Sequence, residues 1–237
     1  MTIIYFYHIP KTGGSYVNQY LKDLSIYLKA TYISFYDTSC NVSELNKKRM
    51  IITLMNLNLN KHYIFHHHHG YPGMKYSYNY INSLKNKLKE KKIKFLFFTI
   101  IRDPYKRINS SINYNKCITN NQIINYINLK NNYIIKYILY NKDTCLYNNL
   151  PNILQNNSEY DNFKKIRTIF DIILDINEIY KLKPILELIF NNKLLPMPSN
   201  KINTTNYIVN LNINHKLLIK DKNKLDIKFI DYCKLIK

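Results

Sequence analysis

Residues 2–30 read TIIYFYHIPKTGGSYVNQYLKDLSIYLKA, and the character of this stretch changes twice. It begins with a short apolar, aromatic run, which is typical of a buried strand. A loop with a proline and the glycine pair Gly13 and Gly14 follows. From Ser15 onward, apolar residues recur at three- and four-residue spacings, which predicts an amphipathic helix. A strand, a glycine-containing loop and a helix in this order suit an anion, because loop N–H groups and the helix N-terminus both face it.

The rest of the chain continues to alternate between strand-like and helix-like segments. Further strands are predicted at residues 61–69, 93–101 and 166–176, and further helices at 78–92, 105–115, 177–190 and 221–237. Residues 47–60 fit neither pattern clearly, and 194–205 are predicted to be a loop. This alternation indicates an α/β fold with a parallel sheet. We predict a single domain over residues 1–237, a P-loop-like central parallel sheet flanked by helices, with 93–101 as a central strand and a helical, Asn- and Tyr-rich segment at about 115–165.

Glycine and arginine are scarce in this chain, so their positions are informative. There are four glycines and four arginines, whereas lysine and asparagine are abundant. All four glycines and two of the arginines fall in three short windows, residues 8–15, 66–74 and 102–110. We therefore expect the functional residues in these windows.

The formal net charge of +20 favours anionic partners such as nucleotides, nucleic acid, anionic glycans or membrane surfaces. An excess of lysine on a solvated surface explains the same number equally well. The 23 tyrosines also offer rings on which nucleic-acid bases can stack. A non-catalytic basic protein is thus one alternative, although it does not explain why glycine and arginine cluster.

Cysteine spacing and hydropathy exclude several classes of protein. The four cysteines are far apart with no CxxC pair, which argues against a zinc ribbon or a thioredoxin-like motif and leaves disulfides open. No apolar run reaches the ~18 residues of a membrane span. Only seven residues precede His8, too few for a signal peptide or an N-terminal anchor, so we expect a cytoplasmic protein.

The first window, PKTGGS at residues 10–15, offers an anion a cation, hydroxyls and backbone donors. These come from Lys11, Thr12, Gly13, Gly14 and Ser15. P-loop ATPases and GTPases need GxxxxGK[ST], in which the lysine follows the glycines. Here the lysine precedes them, so a nucleotide kinase or related phosphotransferase is an alternative that the residue order disfavours. A tight turn before a helix is the structural alternative.

The second window, RDPYKRINSS at residues 102–111, directly follows the predicted strand 93–101. Arg102 therefore falls at the carboxyl edge of the sheet, where open α/β sheets bind ligands. A guanidinium can bind a phosphate with two parallel hydrogen bonds, and Ser110 can add a hydroxyl. The alternative is a surface ion pair between Arg102 and Asp103.

Together, HIPKTGG and RDPYKRINSS resemble the sulfotransferases that use 3′-phosphoadenosine 5′-phosphosulfate (PAPS), especially the carbohydrate branch with the heparan sulfate 2-O- and 6-O-sulfotransferases. The resemblance is specific over the first ~115 residues and looser beyond them. It implies that Lys11 and its loop bind the 5′-phosphosulfate and that Arg102 and Ser110 bind the 3′-phosphate. It further implies a glycan or another hydroxyl compound as acceptor, with nucleic acid not expected as a partner. The eukaryotic relatives are anchored in the Golgi, so that location would require an anchor that this sequence lacks.

The third window, FHHHHGYPGM at residues 65–74, suits either a metal or a general base. Neighbouring strand residues face opposite sides, so at most alternate histidines converge on a metal, and we predict no metal site. Transfer to a hydroxyl needs a base, and a neutral imidazole suits that role. The 2-O-sulfotransferases carry an HGH segment at the acceptor site; the resemblance lays it on His67 and His69, with His68 in place of the glycine. We expect His69 to be the base, with His67 as the second candidate.

Overall fold

The computed structural model describes residues 1–38, 43–117, 119–140, 159–198 and 209–235. Five strands run β1 (Thr2–Tyr7), β2 (Thr31–Phe35), β3 (Tyr63–His67), β4 (Lys94–Ile101) and β5 (Ile172–Asp175). The helices before β5 are α1 (Gly14–Tyr27), α2 (Glu44–Met55), α3 (Met74–Glu90), α4 (Pro104–Tyr114), α5 (Asn120–Leu129), α6 (Tyr133–Tyr140) and α7 (Glu159–Ile169). After β5 come a 3₁₀ helix (Ile176–Lys181), α8 (Leu182–Phe190), α9 (Ile213–Lys222) and α10 (Lys224–Leu235).

The five strands form one parallel sheet in the order β2-β3-β1-β4-β5. This confirms the predicted single α/β domain with a central parallel sheet flanked by helices. β1 is the middle strand and is buried along its whole length, because helices cover both faces of the sheet. The predicted central strand, β4, is its neighbour.

Two apolar layers hold the helices onto the sheet. On one face, α1 and α8 pack on the alternate residues Ile4 and Phe6 of β1. On the other face, α2, α3, α6, α7 and α10 pack around Tyr5 and Tyr7. Successive β1 side chains therefore enter different cores, as the two-residue period of a strand requires. This division decides where each histidine of the 66–69 run lies.

Several element boundaries differ from the sequence predictions. The strand predicted at 166–176 is only Ile172–Asp175, because residues up to Ile169 continue α7 and bury Phe163 and Ile166 on one helical face. The final helix predicted at 221–237 is α10, which begins at Lys224, whereas Asp221 and Lys222 end the preceding helix α9. The undecided segment 47–60 is mostly helix α2, which Ser43 caps by accepting a hydrogen bond from the Asn46 N–H.

Helices α5, α6 and α7 confirm the helical character of the segment at about 115–165 in its described part, whereas the surroundings of Pro151 lie outside the described residues. The predicted loop 194–205 is irregular as far as residue 198, and its remainder also lies outside the described residues.

Cys117 and Cys233 carry free thiols; Cys40 and Cys145 are not in the described ranges. No helix within these ranges is long and apolar enough to cross a membrane.

Candidate functional site

The carboxyl ends of β1 and β4 lie side by side, and the chain leaves them in opposite directions. From β1 it crosses through α1 to β2 on one side of the sheet, whereas from β4 it continues to β5 on the other side. A crevice opens at such a switch point, and open α/β sheets bind their ligands there. His8 follows β1 and Arg102 follows β4, so the first two sequence windows meet at this crevice.

The loop between β1 and α1 has a constrained backbone. Lys11 and Gly13 both have positive φ, 64° and 85°. Gly13 is the N-cap of α1 and supplies no side-chain hydrogen bond, so the first N–H groups of the helix are left for another acceptor. Thr12 is fully buried, and its hydroxyl donates to the carbonyl of Ile9 at 2.7 Å. Thr12 thus shapes the loop with its side chain, and Ser15 is the exposed hydroxyl.

Gly14 is required by the close approach of the His8 ring. A Cβ atom at position 14 would lie 1.9 Å from Cδ2 and 2.0 Å from Nε2 of His8. These distances are far below any van der Waals contact, and His8 is itself buried with 7% of its surface exposed. The imidazole therefore packs directly on the backbone at the beginning of α1.

We expect Gly14→Ala to destabilise the protein by roughly 1–3 kcal/mol, because the new methyl group displaces a buried ring. The midpoint of urea unfolding measures this change. Ser15→Ala is the control, since Ser15 is the exposed neighbour, and its effect should stay within about 0.5 kcal/mol. Equal midpoints for the two variants would contradict the packing of His8 on Gly14.

Lys11 presents a cation at the crevice. Its ammonium lies over the ring of Tyr114, 3.1 Å from the centroid, at the last residue of α4. Partial burial lowers the pKa of Lys11 to about 8, so the side chain is still charged at pH 7. A cation held over an aromatic face remains able to attract a stronger anionic partner.

Arg102 joins the second window to the first. Its Nη1 donates to the carbonyl of Lys11 at 3.2 Å, and its buried Nε has no hydrogen-bond partner among the described residues. Burial lowers the pKa of Arg102, while the charges of Asp103 and Asp175 raise it. The surface ion pair with Asp103 is not formed within the described structure, because the Asp103 carboxylate caps α4 by accepting from the Lys106 N–H.

Ser110 lies on α4, half-buried, eight residues after Arg102. Because an α-helix rises ~1.5 Å per residue, roughly 9 Å of helix separates Ser110 from Pro104. Among the described residues, no hydrogen bond joins Ser110 to Arg102.

The histidine run divides between the two faces of the sheet. His67, the last residue of β3, is fully buried, and its Nδ1 is hydrogen-bonded to the Tyr5 hydroxyl at 2.8 Å. Burial lowers its pKa to about 3. The strand ends at His67, so the strand geometry does not place His67 and His69 on one face. With no exposed surface, His67 is a poor candidate for a base that must reach an acceptor.

His66 and His68 lie with His8 at the crevice. Nε2 of His66 is 2.9 Å from Nδ1 of His8, and Nδ1 of His66 is 3.2 Å from the Ser34 hydroxyl. The His68 ring lies between those of His8 and His69, 4.0 Å from each centroid to centroid. Burial lowers the pKa values of His8, His66 and His68, so all three are neutral at pH 7.

His69 is half-buried and leads into a loop that a neighbouring element holds in place. Its carbonyl accepts from the Asp37 N–H at 2.9 Å. Asn46 of α2 donates to both the Gly70 carbonyl (2.7 Å) and the Asp37 carboxylate (3.0 Å). Gly70 has φ 79°, and a Cβ there would meet Cβ of Asp37 at 2.3 Å, so only glycine fits.

Sequence reasoning missed two residues of the site, His8 and Tyr114. His8 directly follows an apolar strand and precedes the glycine loop, and this position alone indicates a side chain at the crevice. Nothing in the sequence indicates that Tyr114 lies under Lys11, because the contact depends on the direction of α4. Sequence reasoning also counted the Thr12 hydroxyl among the anion contacts, whereas it is bonded inside the loop.

The crevice combines a helix N-terminus, two cations and several neutral imidazoles. It can bind a polyanion and accept a proton next to it. The described residues contain no cluster of three or more His, Cys, Asp or Glu side chains arranged to hold a metal ion. Comparison with protein-family models and with curated protein sequences finds no match for this chain.

Proposed function

We propose that the protein is a sulfotransferase that moves a sulfuryl group from PAPS to a hydroxyl of an acceptor, with a glycan as the acceptor class. One observation carries the proposal: the two windows that resemble the PAPS motifs converge, with Arg102 hydrogen-bonded to the Lys11 carbonyl. Lys11 and Arg102 are 91 residues apart in sequence. The unpartnered Nε of Arg102 and the open N-terminus of α1 offer donors to two separate anionic groups, which fits a nucleotide phosphorylated at both the 3′ and the 5′ position.

In this proposal, Lys11 and the N–H groups of Thr12, Gly13, Gly14 and Ser15 bind the 5′-phosphosulfate, and Arg102 and Ser110 bind the 3′-phosphate. PAPS supplies the activated sulfuryl group. Lys11 and the loop stabilise the negative charge that grows on the leaving phosphate oxygen, because preorganised donors stabilise a developing charge without reorganisation. The chain's other task is to hold the acceptor in line, which accounts for much of the rate in such reactions.

His69 remains our candidate for the base that takes the acceptor proton, because it is the half-buried member of the run and leads into the loop held by Asn46. His67 is the less suitable of the two predicted bases, given its burial against Tyr5. Replacing His69 by alanine and measuring sulfuryl transfer separates the two assignments. The acceptor itself is identified by incubating the protein and labelled PAPS with glycans, peptides and small hydroxyl compounds.

The proposal is tested first by binding. We expect adenosine 3′,5′-bisphosphate to raise the melting temperature, since a ligand that binds only the folded state stabilises it. A shift with ATP and magnesium but not with the bisphosphate would favour a nucleotide kinase. A shift with single-stranded DNA alone would favour a non-catalytic nucleic-acid-binding protein, and either result rejects the sulfotransferase.

Arg102→Ala is expected to weaken bisphosphate binding by roughly 10-fold or more, because charge-assisted hydrogen bonds contribute about 1.5–3 kcal/mol each. Isothermal titration calorimetry measures the dissociation constant. Arg49→Ala is the matched control: Arg49 is an exposed arginine of α2 whose removal changes the net charge equally. If both variants lose the same affinity, Arg102 contributes only general charge.

A further inference from the structure

His8 is a buried side chain whose outer nitrogen points at the anion loop. The ring is more than nine-tenths buried, and its Cδ2–Nε2 edge faces the backbone of Gly14 at the N-terminus of α1. Nδ1, on the inner side, is hydrogen-bonded to His66. In the described part of the chain, no residue hydrogen-bonds to Nε2. An imidazole nitrogen that has no protein partner and lies beside an anion-binding helix end is available to a ligand.

The inner hydrogen bonds determine what Nε2 can do. Nδ1 of His8 and Nε2 of His66 share one proton, and Nδ1 of His66 faces the Ser34 hydroxyl. The Ser34 hydroxyl has one proton and two side-chain neighbours, His66 and Tyr32, so it donates to only one of them. When Ser34 donates to His66, His66 carries its proton on Nε2 and donates to His8, which in turn carries its proton on Nε2. All three groups are then neutral donors aligned in one direction, and the chain ends in an N–H at the loop.

We propose that His8 is an anion-binding residue: Nε2–H of a neutral imidazole donates to a phosphate or sulfate group bound at the N-terminus of α1, and His66 and Ser34 hold the required tautomer. This inference rests on the anion-binding role of the loop in the proposed function. It adds a side-chain donor to Lys11 and the backbone N–H groups. Burial keeps both imidazoles uncharged, with the pKa of His66 lowered to about 3.

A neutral donor suits this position for an electrostatic reason. Burial does most to lower the pKa of His8, and the neighbouring His66, His69 and Lys11 lower it further, so a second full charge beside Lys11 would be unfavourable in the free protein. A neutral N–H avoids that repulsion and still provides a directed hydrogen bond to the anion. The direction of the hydrogen bonds from Ser34 through His66 to His8 can be observed without a sulfuryl acceptor.

The first test measures binding of inorganic pyrophosphate and of adenosine 3′,5′-bisphosphate by calorimetry. We expect His8→Leu, which keeps an apolar side chain but removes the donor, to weaken pyrophosphate binding roughly 10-fold. His8→Gln, which restores an N–H, should recover part of the loss. The matched control is His67→Leu. This histidine is also buried but faces Tyr5 on the opposite side of the sheet, so the affinity of the variant for pyrophosphate should not change.

The second test uses the unaltered protein and so does not depend on a variant that folds. Nitrogen NMR of histidine-labelled protein should find His8 protonated at Nε2, and pyrophosphate should shift that nitrogen and its proton strongly. A proton on Nδ1, or an unshifted Nε2 at saturation, overturns the inference, as does wild-type affinity in His8→Leu. If pyrophosphate binds through His8 but the bisphosphate does not bind, the proposed function fails and this inference stands. If neither ligand binds, both fail.

Discussion

Lys11→Ala is expected to lower the rate of sulfuryl transfer from PAPS by roughly 10²–10³-fold, the usual effect of removing one preorganised donor from a site of developing charge. The reason is the position of Lys11 at the crevice between β1 and β4, at the N-terminus of α1. Its partner in the free protein is the face of Tyr114, from which a doubly charged group can withdraw it. Single-turnover rates with labelled PAPS and the identified acceptor measure the effect.

Lys22→Ala is the matched control for this prediction. Lys22 is an exposed lysine of α1 whose ammonium is 5.8 Å from the centroid of the Tyr32 ring, so its removal deletes the same charge and a more distant aromatic contact. The melting temperatures of both variants should stay close to that of the unaltered protein. Near wild-type turnover in Lys11→Ala would exclude the proposed role of the loop.

Much of the crevice could be predicted because scarce residues mark it. Gly13, Gly14 and Arg102 stand out in a chain with four glycines and four arginines, and each occupies the place that the strand–loop–helix pattern assigns to it. Local geometry explains both glycines: Gly13 has positive φ, and Gly14 has no space for a Cβ. Local requirements of this kind are visible in the sequence.

The contacts between distant segments could not be predicted in the same way. Strand β2 was missed because it is an edge strand with mostly exposed or half-exposed residues, which gives no clear alternation of apolar and polar side chains. The two-residue period correctly indicates that neighbouring histidines of β3 face opposite sides, as His66 and His67 do. The strand ends at His67, so the positions of His68 and His69 no longer follow that period.

The largest expected effect on stability is a loss of the fold in mild acid. His8, His66, His67 and His68 are buried, and burial lowers all four pKa values, to about 3 for His66 and His67. In the unfolded chain these imidazoles have pKa values of about 6.5. Below pH 6.5 the unfolded state therefore binds protons that the folded state does not, and stability falls as the pH falls.

Each of the four buried imidazoles reduces the free energy of unfolding by up to about 1.4 kcal/mol for every pH unit below about 6.5. Asp226 acts in the opposite direction, because burial raises its folded-state pKa to about 6 and the folded protein takes up that proton first. The net loss is then roughly 4 kcal/mol per pH unit, against a total stability of about 5–15 kcal/mol for a typical domain. We expect the chain to unfold near pH 5.

Urea midpoints at pH 7.5, 6.5 and 5.5 measure this dependence. His67→Phe should reduce the slope by about one proton, since it removes one fully buried imidazole on the side of the sheet away from the crevice. His62→Asn is the control: His62 is only partly buried, so its pKa is less perturbed and the slope should change less. A stability that is constant from pH 7.5 to 5.5 would mean that the four imidazoles reach water or carboxylates in the folded protein. Such a result would also remove the neutral state on which the donor role of His8 depends.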